Sequence, residues 1–261
     1  MSNWVVLGSG NVATQFARML SQHKHKIMQV YSPSLSRARD LAKLHPPAEA
    51  TQHIDKINKT ADYYLIAVSD NAIRDIVAQL DKDIAGTILH TSGATDMQVL
   101  EKFSRYGVLY PLQTIHKNQD VDYSTLPLAV EGNGSSISQE LLTIANSISK
   151  HVYQYNSKQR LAAHVAAIFV NNFTNSLFQV AYDILKEQDM PFEIVNPLIE
   201  KTAKAALSNI PKDVQTGPAA RNDNQTIQKH LDFLKGNIER ERLYRILTEE
   251  IKKQQNKPTK I

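Results

Sequence analysis

A short glycine-rich turn between an apolar strand and a helical segment constrains the fold of this chain more than any other feature. Residues 8–13 read Gly-Ser-Gly-Asn-Val-Ala and fit the pattern G-x-G-x-x-A. They follow an apolar run at 4–7 and lead into 11–20, where apolar residues recur at helical spacing. A strand, a turn of this kind and a helix together open a βαβ unit that can bind a dinucleotide.

The rest of the first half alternates between strands and helices. Strands are predicted at 4–7, 27–31, 61–68, 87–90, 108–110 and 126–131, and helices at 11–20, 35–44 and 71–80. This alternation predicts βαβ units and a mostly parallel sheet.

The second half has a different pattern. After about residue 155 apolar residues keep helical spacing, and no strand is predicted. Helices are predicted at 157–189, 193–207, 226–234 and 238–254, with a loop of Pro, Asp, Gly and Asn at 209–224. We therefore predict an α/β domain at residues 1–155 that binds the cofactor, followed by an all-helical domain at residues 156–261.

The composition excludes several classes of protein. The chain has no cysteine, which excludes disulfides, thiolate nucleophiles and cysteine-ligated metals. Residues 251–261 hold four lysines and no acid, so the net charge of +4 comes from this tail and a basic nucleic-acid-binding face is not expected. The longest apolar stretch, 161–182, contains His, Asn and Gln and is too polar for a membrane span. No secretion signal is recognised, so a cytoplasmic location is expected.

Each position of the glycine-rich turn has a predicted task. Gly8 would permit the tight turn, and Gly10 would let the backbone approach a pyrophosphate bound by the free N–H groups of the following helix. Ser9, Asn11 and Val12 complete the segment that we expect to hold the cofactor. The alternative is a glycine turn that binds no ligand.

The end of the second strand indicates which dinucleotide is bound. An acid that binds the ribose 2′-OH of NAD is expected about 20 residues after the glycines. Residues 30–39 contain no acid; they contain Ser32, which with Pro33 is predicted to start a helix, and then Arg37 and Arg39. Cations at a helix start are unfavourable unless an anion such as a 2′-phosphate is bound there. We therefore predict NADP, against the alternative that both arginines are solvated surface charges.

Polar residues also follow the third and fourth strands. Ligands bind at the carboxyl ends of strands in an open α/β sheet. Val68, Ser69 and Ser92 are therefore predicted to contact the cofactor, and Thr91 and Gly93 the substrate.

Two acidic residues are predicted to cap helices rather than to bind ligands. Asp70 would be the N-cap of the helix at 71–80, and Asp223 the N-cap of the helix that starts near residue 226.

Five segments together resemble a known family. They are GSGNVA at 8–13, LHTSGA at 89–94, YPLQTIHK at 110–117, HVAAIFVNN at 164–172 and TGPAARNDNQTIQKHL at 216–231. The resemblance spans nearly the whole chain. The family joins an N-terminal Rossmann-like domain to a helical C-terminal domain of unassigned function, and its members are described as NADP oxidoreductases. Its fold is similar to pyrroline-5-carboxylate reductase, ketopantoate reductase and 6-phosphogluconate dehydrogenase. The resemblance implies a reductase architecture and a homodimer, and it implies no particular substrate.

A polar stripe runs along the long predicted helix. His164, Asn171 and Asn175 fall within about 20° of one line on an α-helix. One interpretation is a site in which His164 donates a proton, Asn171 holds the substrate or a water molecule, and Asn175 binds the substrate. The other is a structural hydrogen-bond network at a helix or dimer interface.

Two further residues are candidates for the site. His116 follows a strand and could face the cleft beside His90, where it would donate a proton near neutral pH. The alternative is an exposed loop histidine. Arg221 lies in the loop at 216–223 and would hold a substrate carboxylate or phosphate.

These observations predict an NADPH-dependent reductase that transfers a hydride to a small carbonyl or imine, with His116 or His164 supplying the proton. The alternative is a non-catalytic NADP-binding sensor or scaffold that dimerises through its helical domain. The histidines have no metal-ligand spacing, and no metal, nucleic acid or membrane partner is expected.

Overall fold

The structure, a computed structural model, describes residues 1–256 of the chain. The chain forms two compact units, the first Met1–Asn172 and the second beginning at Phe173. The first unit extends past the domain boundary predicted at residue 155. Two lysines of the predicted basic tail, Lys257 and Lys260, lie outside the described residues.

One eight-stranded sheet forms the centre of the first unit. Its strands are β1 (Asn3–Leu7), β2 (Lys26–Tyr31), β3 (Glu49–Thr51), β4 (Tyr63–Ile66), β5 (Thr87–His90), β6 (Tyr106–Pro111), β7 (Leu128–Gly132) and β8 (Val152–Gln154). They lie in the order β3-β2-β1-β4-β5-β6-β7-β8. Every neighbouring pair is parallel except β6 and β7. The prediction of a mostly parallel sheet is confirmed.

Helices cover both faces of the sheet. They are α1 (Asn11–Gln22), α2 (Leu35–Ala42), α3 (Asp70–Gln79), α4 (Ser135–Asn146) and α5 (Ser157–Ala167). Successive residues of a strand point to opposite faces, so each strand supplies two apolar layers. Val6 of β1 packs in the layer that contains residues of α1, α2 and α4, whereas Val5 and Leu7 pack in the layer that contains α3.

The helical part of the chain begins with α5 and a short π-helix. The π-helix occupies Ile168–Phe173 and is followed by α6 (Thr174–Lys186), α7 (Asn196–Ser208), α8 (Asn224–Phe233) and α9 (Ile238–Asn256). The single helix predicted at 157–189 is therefore an α-helix, a π segment and a second α-helix. Within residues 1–256 no strand follows β8, as predicted for the C-terminal half. None of the described helices is long and apolar enough to cross a bilayer.

Two strands and one α-helix of the first unit were not predicted. β3 and β8 have three residues each and are partly exposed, so their apolar signal is short. Helix α4 carries Ile137, Leu141 and Ile144 at helical spacing, and all three are buried. That pattern is a signal from which α4 could have been predicted.

The two predicted helix caps have different outcomes. Asp223 is the N-cap of α8, and its carboxylate accepts hydrogen bonds from the backbone N–H of Thr226 at 3.1 Å and from the Thr226 hydroxyl at 2.8 Å. Asp70 is not a cap, because α3 begins one residue earlier than predicted and Ser69 is its N-cap. Asp70 lies instead in the first turn, where a carboxylate interacts favourably with the helix dipole.

Candidate functional site

The glycine-rich turn lies where the order of the strands reverses. β1 lies between β2 and β4, and the later strands continue outward from β4. Gly8 has φ of 136°, and a Cβ there would lie 2.2 Å from the carbonyl oxygen of Ala67. The Gly8 N–H also donates a hydrogen bond to the carbonyl of Tyr31 at 2.9 Å. Only glycine fits this position, which joins the ends of β1, β2 and β4. Ligands of open α/β sheets bind at such reversals of strand order.

Open space lies in front of the N-terminus of α1. Gly10 is the N-cap of α1, and a Cβ there would meet no atom within 4 Å. Val12, in the first turn of α1, is partly buried and packs against the core. A cavity of about 430 Å³, here called the glycine-turn cavity, opens at this point. Its lining residues are Ser9, Gly10, Asn11, Thr14, Arg18, Arg37, Asp40, Leu41, Leu44, Lys117 and Asn118. Its position at a helix N-terminus suits the phosphates of a dinucleotide.

Positive charge predominates around the glycine-turn cavity. Arg18, Arg37 and Lys117 line it, against the single carboxylate of Asp40. Arg39 lines a different cavity, beside the end of α2. Of the two arginines predicted near a 2′-phosphate, Arg37 therefore lines the cavity of the glycine-rich turn.

Ser32 links this cavity to the end of β2. It is buried, and its hydroxyl oxygen accepts hydrogen bonds from the Ser9 hydroxyl at 2.9 Å and from the Ser34 backbone N–H at 3.3 Å. Ser34 is the N-cap of α2, which begins at Leu35. The prediction that Ser32 caps this helix is therefore wrong, because the chain extends two residues further before the helix starts.

The loop at residues 112–122, between β6 and a 3-10 turn at Tyr123–Thr125, packs along α1. Gln15 of α1 is 2% exposed, and its amide nitrogen donates to the carbonyls of His116 at 2.9 Å and Gln119 at 2.8 Å. The Tyr123 hydroxyl donates to the side-chain amide oxygen of Gln15 at 2.5 Å. Gln15 was not identified from the sequence, although a glutamine on the apolar side of α1 is a signal that could have identified it.

The two histidines expected side by side have different environments. His90 is fully buried, and its Nδ1 accepts a hydrogen bond from the backbone N–H of Ser92 at 3.1 Å. His116 is exposed on the 112–122 loop, and its carbonyl is the group that Gln15 holds. The structure therefore places His90 in the core and His116 beside α1, and a proton-donor role for His116 stays a prediction.

A tyrosine and a histidine meet at the carboxyl end of β6. The Tyr110 hydroxyl lies 2.9 Å from Nδ1 of His164, and the two rings meet edge to face. Gly93 packs directly against the pair, since a Cβ there would lie 2.7 Å from Cζ of Tyr110 and 2.8 Å from Cγ of His164. Burial, followed by the carboxylate of Asp70, raises the pKa of Tyr110 to about 12. The phenol is therefore neutral at physiological pH. Tyr110 was not identified from the sequence.

A buried arginine fastens α5 to the sheet one turn before His164. Arg160 is 1% exposed, and it donates to the carbonyls of Ser92 at 3.1 Å and Thr95 at 2.5 Å. It also forms an ion pair with Glu131 of β7. These contacts fix α5 against the segment that follows β5, which places His164 at the strand ends.

Asn171 contacts the same loop that β6 leads into. It lies in the π-helix, and its side-chain nitrogen donates to the Thr114 hydroxyl at 2.6 Å. π-helical turns occur frequently at functional sites. Asn175 and Arg221 lie in the second unit and are both exposed. Their predicted roles in substrate binding stay predictions.

The other predicted residues follow the carboxyl ends of β4 and β5. Val68 is partly buried, and Ser69 is the exposed N-cap of α3. Thr91 and Ser92 are buried, and the Ser92 hydroxyl accepts hydrogen bonds from two backbone N–H groups of its own turn. Ser92 therefore stabilises the turn that holds Gly93 in place. Residues 1–256 contain no cluster of three or more His, Asp or Glu side chains able to hold a metal ion.

Two family descriptions match the chain in sequence. Residues 3–117 match the Rossmann-like domain, and residues 126–251 match a domain of unknown function (DUF2520). No curated protein matches the chain.

Solved structures cover nearly the whole chain. A Bacteroides fragilis protein described as a "putative NADP oxidoreductase" is 35% identical, with 97% of this chain and 98% of that chain covered and a TM-score of 0.84. A reductive aminase from Aspergillus terreus, in complex with NADPH and ethyl-5-oxohexanoate, is 13% identical, with coverage of 97% and 92% and a TM-score of 0.68. A 1-pyrroline-5-carboxylate reductase from Streptococcus pyogenes is 15% identical, with coverage of 97% and 98% and a TM-score of 0.59. The last two share the fold. The chain belongs to the family of the Bacteroides fragilis protein and joins a Rossmann-like domain to DUF2520.

Proposed function

We propose that this protein is an NADPH-dependent reductase of a small carbonyl or imine. The observation that carries the proposal is that two features lie at one edge of the sheet. The glycine-turn cavity lies at the carboxyl end of β1, and the Tyr110–His164 pair lies at the carboxyl end of β6. β1, β4, β5 and β6 are parallel, so these ends belong to the same edge. The Bacteroides fragilis and Aspergillus terreus proteins, described with NADP and NADPH, support the choice of cofactor.

The residues of the glycine-turn cavity fit this cofactor. The open space at Gly10 accommodates a pyrophosphate against the N-terminus of α1. Arg37 supplies a planar cation for a 2′-phosphate. When bound, NADPH supplies a hydride, and the protein supplies orientation, exclusion of water and a proton.

His164 is the proton donor in this proposal. The imidazolium form of His164 carries a proton on each ring nitrogen. Its Nδ1 donates to the Tyr110 hydroxyl oxygen, 2.9 Å away, and its Nε2 delivers a proton to a developing alkoxide or amine, which leaves a neutral imidazole. Tyr110 keeps its own proton because its pKa is about 12. Asn171, held by the Thr114 hydroxyl, orients the substrate oxygen or nitrogen, or a water molecule.

A titration of the purified full chain with NADPH and NADH, followed by nicotinamide fluorescence, tests the assignment. We expect NADPH to bind at least tenfold more tightly than NADH, since only NADPH carries the 2′-phosphate. Binding of neither nucleotide would overturn the reductase assignment. Keto acids and cyclic imines can then be screened for NADPH oxidation.

Substitution of the two histidines separates a catalyst from a sensor. His164→Ala should lose turnover and keep its affinity for NADPH, and His116→Ala tests the other histidine that was predicted to donate the proton. If both variants turn over like the original chain, the proton donor is another group. If no variant and no substrate shows turnover while NADPH binds, the non-catalytic sensor is the better description.

We also propose a homodimer formed through the second unit. Among the apolar residues of its described part, only Ala219, Ile227 and Leu231 are buried. Large apolar side chains stay exposed on its helices and loops, among them Leu198, Leu207, Ile210, Phe233, Ile238 and Ile246. A second copy would cover such a surface. A cytoplasmic location and the lack of a nucleic acid or membrane partner stay predictions.

A further inference from the structure

We propose that the 112–122 loop forms a preorganised wall of the glycine-turn cavity, from which Lys117 binds the pyrophosphate of the dinucleotide. The inference rests on the proposed function, since it concerns how this chain holds the cofactor.

The 112–122 loop places Lys117 close to the start of α1. Lys117 and Asn118 line the glycine-turn cavity together with Ser9, Gly10 and Asn11. The backbone N–H of Lys117 donates to the side-chain oxygen of Asn11 at 3.2 Å. Asn11 is the first residue of α1, so Lys117 lies beside the helix N-terminus, where a pyrophosphate binds. The open space at Gly10 is at this same helix end.

Two side chains of α1 attach the 112–122 loop to the helix. Arg18 donates to the carbonyl of Lys117 at 2.7 Å, and the buried amide of Gln15 donates to the carbonyls of His116 and Gln119 on either side. A buried amide stabilises one conformation only where its hydrogen bonds are made. Gln15 and Arg18 therefore hold the backbone at Lys117 in place before any ligand arrives, which lowers the entropic cost of binding.

Lys117 brings a positive charge to the glycine-turn cavity. Among residues 1–256 its ammonium forms no ion pair, and Asp40 is the only carboxylate in the cavity. An ammonium on a flexible four-carbon stem suits a phosphate group as a mobile point charge.

Lys117 and Arg37 line the cavity from different elements. Arg37 lies on α2, which follows β2, the strand end at which a 2′-phosphate binds. Lys117 follows β6 and lies at the N-terminus of α1. NADH and NADPH share the pyrophosphate, and only NADPH carries the 2′-phosphate. The two cations therefore differ in which nucleotide they affect.

The test compares Lys117→Ala, Arg37→Ala and Arg39→Ala in the full chain, with NADPH and NADH titrated at one ionic strength. Lys117→Ala should weaken the binding of both nucleotides by the same factor, about tenfold. Arg37→Ala should weaken NADPH by a similar factor and leave NADH unchanged. Arg39→Ala, a matched control that lines another cavity, should change neither. Lys117→Arg should restore most of the affinity.

The outcomes separate this inference from the function on which it rests. Unchanged binding of both nucleotides by Lys117→Ala, with tight NADPH binding by the original chain, overturns the inference and leaves the reductase proposal intact. A loss confined to NADPH also overturns it, because Lys117 would then contact the 2′-phosphate. Binding of neither nucleotide by the original chain overturns both. Circular dichroism of the exposed Lys117 variants checks that the fold is retained.

Discussion

Gly8 and Gly10 stand two residues apart in one turn, and different physical constraints act on them. At Gly8 a side chain would collide with the backbone of Ala67, and the φ of 136° is unfavourable for any residue with a Cβ. At Gly10 the backbone is extended, and a Cβ added there would have no neighbouring atom within 4 Å. Gly8 is therefore needed by the fold, whereas the fold leaves space at Gly10 that the proposed pyrophosphate would occupy.

This difference predicts opposite outcomes for two alanine substitutions. Gly8→Ala should lower the free energy of unfolding by more than about 2 kcal/mol, because of the steric clash and the strained φ. Gly10→Ala should change it by less than about 1 kcal/mol and still abolish tight NADPH binding, because the new methyl group occupies the space for the pyrophosphate. Urea unfolding and nicotinamide fluorescence measure the two effects. A Gly10→Ala variant that binds NADPH normally would contradict the assigned position of the pyrophosphate.

His90 makes the stability of the fold depend on pH. Burial, followed by the guanidinium of Arg160, lowers its pKa from 6.5 to about 3. The folded protein thus keeps His90 neutral, while the unfolded chain takes up a proton below pH 6.5. The stabilisation is complete above pH 6.5 and is lost as the pH falls from 6.5 towards 3. At pH 4 the loss from this group should be roughly 3 kcal/mol.

The variant His90→Asn isolates this contribution from those of the other histidines. Asparagine offers an oxygen to the backbone N–H of Ser92 and does not titrate. Urea unfolding between pH 4 and pH 7.5 should show a weaker pH dependence for the variant than for the original chain. Equal slopes in the two proteins would rule out His90 as a contributor.

Some residues of the candidate site were singled out from the sequence, and others were missed for a physical reason. His164 and Asn171 were identified because a polar stripe on an apolar helix is visible in one segment. Tyr110 was missed because its partner, His164, is 54 residues away in the chain. Gln15 has a local signal on the apolar side of α1, but its partners in the 112–122 loop, 101 or more residues away, could not be predicted. Such pairings arise only when the elements pack together.

At the scale of elements, α5 depends on one buried ion pair. Arg160→Met should lower the free energy of unfolding by about 3–5 kcal/mol, because Glu131 would be left largely buried without its partner. The double variant Arg160→Met/Glu131→Gln should recover part of this loss, since the unpaired charge is removed. Urea unfolding of both variants gives the comparison.

Arg160 also positions His164, and a measurement of stability alone would not show this role. It lies one turn before His164, so its loss should disturb the Tyr110 contact. The chemical shifts of the His164 ring, followed by NMR, should change in Arg160→Met. They should change less in Lys158→Met, an exposed control on the same helix. Unchanged His164 shifts in Arg160→Met would contradict the positional role, and unchanged stability of this variant would contradict the role of the ion pair.

The accuracy of the element predictions follows from how much of each element is local. The strands β1, β2, β4, β5, β6 and β7 and the helices α1, α2 and α3 were predicted, because each has an apolar pattern of its own. The π-helix at Ile168–Phe173 could not be predicted, since one extra residue per turn leaves the apolar composition unchanged. The start of α2 at Leu35 was predicted, but its cap was assigned to Ser32 instead of Ser34, and α3 starts one residue earlier than predicted. Neighbouring Ser and Asp residues can each serve as caps, so the sequence did not distinguish them.

At the scale of the whole molecule, strand order determines where the proposed chemistry takes place. The sequence indicated alternating strands and helices but not their order, which depends on long-range pairing. The order places β1 between β2 and β4, so the glycine-rich turn reaches the ends of both neighbours. It also places β6 beside β5, which brings Tyr110 next to Gly93. The proposed reductase site therefore follows from topology as much as from any motif.

The second unit predicts an oligomer of the whole chain. Its described part buries three apolar residues and exposes many more, and Leu207 is 88% exposed. A second copy that covers these side chains would add to the buried apolar surface of the unit. Sedimentation velocity between 0.5 and 50 µM, a range chosen on the order of typical dimer affinities, should give twice the chain mass of 29.3 kDa.

The double variant Leu198→Glu/Leu207→Glu should shift the protein to monomer and lower its melting temperature, because unfolding of a dimer is linked to dissociation. Leu44 is an exposed apolar residue of the first unit, and the control variant Leu44→Glu should stay dimeric. A stable monomer at the highest concentration would contradict the dimer, and the exposed apolar helices would then need another partner.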